Sequence, residues 1–117
     1  MPRRGKEWIV DASGCDAARL RDVSCLRAFL ETSLSALSLR PVAPPLWHVF
    51  PGEAGVTGMV LLAESHLTLH TFPEHGTLAL NLYCCRERDP FDWTRALADS
   101  VGAERVLVRV LERGGEP

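Results

Sequence analysis

Between residues 64 and 85 the chain gathers groups suited to acyl and proton chemistry. Glu64-Ser65-His66 opens the segment, His70 follows five positions on, Glu74-His75 sits after Pro73, and Cys84-Cys85 closes it. Such side chains cost free energy in a small apolar domain unless they are paired or used. Together they offer a nucleophilic hydroxyl (Ser65), an imidazole base (His70), a thiol acid (Cys85) and carboxylates (Glu64, Glu74). Imidazole changes charge near pH 7, and a thiol can be tuned to donate a proton there. Taken singly, each has a plain explanation: a turn hydroxyl, a hydrogen-bonded core histidine, a small buried cysteine. The joint spacing of Ser65, His70 and Cys85 lifts them above it.

Two alternating stretches must position these groups. Residues 65–72 and 77–83 alternate as strands, with Pro73-Glu74-His75-Gly76 as the turn between them. Alternation puts His66, Thr68, His70 and Phe72 on one face, and Asn81, Tyr83 and Cys85 on one face of the returning strand. A turn centred near Glu74-His75 brings residues 65 and 85 close across the ladder, and a slip of one residue would flip the faces.

Around this hairpin, residues 8–10 read as a short strand. Asp16 is placed to cap a helix whose apolar face is Leu20, Val23, Leu26, Phe29, Leu30, Leu34 and Leu37. Pro41, Pro44 and Pro45 end it. Residues 46–50 form a second strand, 51–55 a turn, and the apolar run 58–63 a buried strand. Pro90 precedes a second helix with Trp93, Ala96, Leu97, Ser100 and Val101 on one face, and residues 105–111 close as a strand containing Arg109. Residues 114–117, with Gly114, Gly115 and Pro117, read as a frayed tail. The order β-α-β-β-β-β-α-β predicts an α+β two-layer sandwich, a mostly antiparallel sheet with helices on one face. The other face then needs cover, and a homodimer supplies it.

The 117 residues suit a single domain, and 46% hydrophobic with 24% charged residues is ordinary for a globular chain. A net charge of −2 argues against a general nucleic-acid binder. No run approaches a membrane span, and MPRRGKEW lacks the apolar stretch of a signal peptide. The four cysteines (Cys15, Cys25, Cys84, Cys85) show no zinc spacing and read as reduced thiols in a cytoplasmic protein without metal.

The motif ESHLTLHTFPEHG at 64–76, with a cysteine twenty residues after the serine, resembles the core of the short prokaryotic S-adenosylmethionine decarboxylase proenzymes. The resemblance covers most of the chain, through Val56-Thr57-Gly58 to Glu112-Arg113-Gly114. It implies self-cleavage between Glu64 and Ser65 into a β chain, 1–64, and an α chain, 65–117. Ser65 would become a covalent pyruvoyl group, which holds the substrate amine as a Schiff base. His70 would be the processing base, Thr57 would support processing, and Cys85 would be the proton donor. Glu74 would hold the ribose hydroxyls; Phe50, with about one residue inserted between it and Thr57, would stack on adenine; Phe72 stands where tryptophan is common. The implied reaction converts S-adenosylmethionine to its decarboxylated form and carbon dioxide, for spermidine synthesis.

Three positions depart from the family pattern. Asn81 replaces an acidic residue, Cys84 a threonine and Arg86 a glycine. Asn81 and Arg86, with Phe72, motivate one alternative, a pyruvoyl enzyme of arginine or ornithine on the same scaffold; the changes around Cys84 and Arg86 motivate another, an unprocessed homologue that binds a nucleoside or a partner.

Overall fold

A computed structural model describes residues 5–85 and 90–114. Among these, the elements are β1 (Gly5–Ser13), α1 (Ala17–Leu20), α2 (Val23–Ala36), β2 (Leu46–Val49), β3 (Val56–Leu61), β4 (Ser65–Phe72), β5 (Thr77–Cys84), α3 (Trp93–Val101) and β6 (Arg105–Arg113). The strands form one sheet in the order β2-β3-β4-β5-β1-β6, every neighbour antiparallel. The helices pack on one face, so the α+β two-layer reading holds.

The single helix expected after Asp16 is two. Asp16 accepts from Ala18 N and Arg19 N and starts α1; Asp22 accepts from Ser24 N and Cys25 N and starts α2. A second capping aspartate six positions after the first restarts the helix and leaves a bend at Arg21. In α3, Asp92 accepts from Arg95 N, and Gly102 at φ 69° ends the helix in the left-handed conformation.

Leu26, Phe29, Leu30 and Leu34 from α2, with Leu97 and Val101 from α3, meet Val10, Val60, Leu67, Leu69, Leu80 and Leu82 of the sheet. Burying such side chains contributes about 1.5–3 kcal/mol each. The run 58–63, expected to be buried, is half wrong. The strand is Val56–Leu61, and Met59 and Leu61 point away from the helices and are exposed. Helices cover one face only, so an all-apolar strand buries alternate residues. The first strand is also longer than residues 8–10, because β5 and β6 pair with β1 on both sides along its length.

The uncovered face carries exposed Leu46, Met59, Leu61, Phe72, Leu107 and Leu111. Ion pairs Asp11–Arg109 at 2.9 Å and Glu7–Arg113 at 2.5 Å link β1 to β6 there.

Candidate active site

The β4–β5 hairpin fixes the position of every candidate. Its turn, closed by His75 N to Phe72 O at 3.0 Å and Gly76 N to Pro73 O at 3.2 Å, centres the ladder between Glu74 and His75. Ser65 therefore pairs with Cys84, not Cys85. The expected 65–85 pairing is off by one, since a centre between two residues pairs an odd position with an even one. Cys84 is fully buried under the helices; Cys85 follows the strand and is exposed. None of the four cysteines forms a disulfide. Burial pushes the Cys15 thiol up.

Ser65 is the first residue of β4 and is half-buried. Glu64 is exposed. Just before Ser65 the chain makes a tight turn, in which Leu62 N donates to Ser65 O at 2.9 Å. A cavity of about 480 Å³ opens here, lined by Ser38, Arg40, Glu64 and Ser65 among others. Alternation sets Ser65 on the helix side, with Leu67, Leu69 and Thr71, and His66 on the open face.

The other candidates lie at the far end of the same strand. Thr57 on β3 pairs with His70 on β4, and the hydroxyl meets His70 Nδ1 at 3.0 Å. If Nδ1–H donates to Thr57 Oγ1, the Nε2 lone pair of His70 is free to take a proton. Beside this pair lies a cavity of about 300 Å³ lined by Phe50, Glu53, Thr57, His70, Phe72 and Glu74. Its walls are aromatic and its rim is acidic, which suits a planar base with a hydroxylated sugar. The structure thus brings together Thr57, His70, Phe50, Phe72 and Glu74. It keeps them from Ser65 and Cys85: Ser65 and His70 stand five strand residues apart, about 17 Å at ~3.4 Å per residue.

Three residues at these two ends escaped the sequence reading. His48 on β2 is in register with Thr57 and sets its ring edge-on to Phe50, centroids 4.6 Å apart. Its two-residue spacing from Phe50 was the available signal. Glu53 reaches the cavity from the β2–β3 turn. Glu7, paired with Tyr83 on the open face at the Ser65 end, accepts from Asn81 Nδ2 at 2.6 Å. The Asn81 and Arg113 hydrogen bonds hold its carboxyl below the usual carboxylate range. A carboxylate thus stands beside Asn81, where the family pattern has an acidic residue. His66 meets the ring of Tyr83 edge-on, centroids 5.9 Å apart. Arg86, the third departure, lies outside the described residues.

Residues 6–114 match the family model described as S-adenosylmethionine decarboxylase. The S-adenosylmethionine decarboxylase proenzyme of Geobacillus sp. (strain WCH70) is 37% identical over 119 residues, spanning 100% of this chain and 93% of that protein. The proenzyme of Parasynechococcus marenigrum (strain WH8102) is also 37% identical, over 93% of this chain and 84% of its own. The crystal structure of the adenosylmethionine decarboxylase from Aquifex aeolicus superposes with a TM-score of 0.81 at 30% identity, covering 100% of this chain and 96% of the other. The chain belongs to the S-adenosylmethionine decarboxylase family.

Among the described residues no helix is long and apolar enough to cross a membrane, and no group of His, Cys, Asp or Glu is arranged to hold a metal ion.

Proposed function

We propose that this protein is a self-processing, pyruvoyl-dependent decarboxylase of S-adenosylmethionine, whose product is the aminopropyl donor for polyamine synthesis. The observation that carries the reading is the aromatic, acid-rimmed cavity beside the Thr57–His70 pair, in a chain of this family whose β4 begins at Ser65.

The pyruvoyl group fits the position of Ser65. The scissile bond lies in an exposed turn, and the new terminus would head a strand paired on both sides, with β3 and β5. The two pieces would stay together, because β1 of the first is clamped between β5 and β6 of the second. The group supplies a carbonyl that takes up the substrate amine and accepts the electron pair left when carbon dioxide departs. His70 Nε2 takes a proton from residue 65 during processing, with Thr57 fixing the ring. Cys85 Sγ, exposed beyond the end of β5, returns a proton to the substrate carbon. Glu74 accepts from the ribose hydroxyls, and Phe50 and Phe72 flank the base.

His70 and Ser65 of one chain are too far apart for a proton transfer, so the working unit is a homodimer. Two copies pack open face to open face about a two-fold axis. The Thr57–His70 end of each then meets the Ser65 end of the other, reaching residue 65 around the sheet's rim. The exposed apolar residues of that face supply the contact. Four cysteines without a disulfide suit a reducing, cytoplasmic setting.

Intact mass under denaturing conditions, with carbon dioxide release from carboxyl-labelled S-adenosylmethionine, tests the reading. Two chains split between Glu64 and Ser65, a pyruvoyl mass on the second, and label release are expected. A single full-length chain without release overturns it. Ser65→Ala must stay in one piece.

A further inference from the structure

The wall of the nucleoside cavity that carries Phe50 and Glu53 is an unusual loop. Phe50 N donates to Gly55 O at 2.8 Å and closes it into a ring of backbone. Inside the ring, Gly52 and Ala54 both take left-handed conformations, at φ 81° and 61°. Glycine adopts that region freely, whereas alanine is strained there. Ala54 therefore needs outside support to hold its conformation.

The support comes from the bend between α1 and α2, through two contacts. At the loop's exit, Thr71 is buried and its hydroxyl does two jobs: it donates to Leu20 O at 2.7 Å and accepts from Val56 N at 2.9 Å. At the loop's tip, Arg21 at the C-terminal cap of α1 reaches across. Its Nε donates to Glu53 O at 2.9 Å, and its Nη2 donates to Glu53 Oε2 at 3.2 Å. The planar guanidinium holds backbone and side chain of one residue at once, which fixes where the Glu53 carboxylate points. Gly55 closes the set: a Cβ there would lie 2.7 Å from Thr71 O, so the loop is pressed against β4.

Of the processing groups, Thr57 and His70 adjoin Val56 and Thr71 of this brace but bond each other rather than Arg21 or Glu53. Arg21 makes its contacts with Glu53, whereas Ser65 and Cys85 lie at the other end of the hairpin.

We propose that Arg21 is a positioning residue for nucleoside binding. It acts through Glu53 to hold the loop 50–55 as the cavity wall, and so sets affinity for the adenosyl part of the substrate. The proposal rests on the function proposed above. Arg21 has no part in cleavage or in the chemistry at residue 65.

The test compares full-length wild type, Arg21→Ala and Arg21→Lys. Three quantities are read: the processed fraction by intact mass, Kd for 5′-methylthioadenosine by calorimetry, and KM and kcat for S-adenosylmethionine. Arg21→Ala is expected to raise Kd and KM about tenfold with kcat and processing unchanged, since binding shared equally by the ground state and the transition state is lost. Arg21→Lys recovers part of the affinity, because one ammonium reaches Glu53 but lacks the fork. A Kd unchanged to within about twofold in Arg21→Ala overturns the proposal, as does a fall in kcat or processing at constant KM. Should Arg21→Ala not fold, Arg21→Lys decides it, and wild-type affinity there overturns the proposal. A wild type that neither releases carbon dioxide nor binds the nucleoside instead refutes the underlying function.

Discussion

Co-expression of two inactive variants tests the shared site. Ser65→Ala removes the nucleophile and keeps His70; His70→Ala does the reverse. Within one chain the two residues stand at opposite ends of β4, about 17 Å apart, several times the reach of a proton transfer. In a two-fold dimer with crossed ends, a mixed pair has one site with both residues lost and one with both intact. Random pairing makes about half of all dimers mixed, so about half of the His70→Ala chains should be cut, and decarboxylase activity should reach about a quarter of wild type. Each variant alone should give neither. The assay is denaturing mass spectrometry of the co-purified proteins, distinguished by a tag on one variant, with native mass to count mixed dimers. Mixed dimers in good yield with every chain intact would refute the crossed arrangement and return the site to a single chain.

Three further outcomes are expected. Thr71→Val strips the buried hydroxyl that joins Leu20 O to Val56 N and leaves both groups unpaired, so urea denaturation should show a loss of about 2–4 kcal/mol; a loss under about 0.5 kcal/mol would contradict the bracing role. Glu7 is held below the usual carboxylate range by Asn81 and Arg113, so its contribution is in place above its unfolded value near 4.5 and is lost as pH falls through its lower folded value. Urea midpoints at pH 7 and in the acid range below 4.5 should therefore fall less on acidification in Glu7→Gln than in wild type; equal falls would remove Glu7 from the acid response. Cys85→Ala should leave cleavage largely intact and lower turnover by about 10²-fold or more, as loss of a proton donor does; normal turnover would exclude Cys85 from that role.

The strands and helices were legible in the sequence because they rest on short-range rules. Alternation located β4 and β5, and the Leu/Phe periodicity located α2, which ends at Ala36 with Ser38 left-handed at φ 55°, before the prolines expected to stop it. Candidate residues for the chemistry could be named from the sequence too, since residue type and spacing along one hairpin are local properties. The sequence reading missed what depends on counting across space. One residue of hairpin register moved Cys84 opposite Ser65 and left Cys85 beyond the strand. A second capping aspartate at Asp22 broke one helix into two and put Arg21 where it reaches Glu53. Met59 and Leu61 were read as buried, yet burial depends on which layers exist above and below a strand.

By itself, the sequence determined which residues could act and which strand carries them: Ser65 and His70 both belong to β4, and their five-residue spacing is written in the chain. Only the tertiary structure decided that they are not neighbours. A strand is extended, so five residues that look adjacent in a motif become a separation of about 17 Å, and pairing with β3 and β5 on both sides prevents the strand from folding back. The same pairing delivers Thr57 from β3 to His70, a contact between positions 57 and 70 that no local pattern contains. Loop closure around the Phe50–Gly55 turn likewise follows from which elements lie side by side.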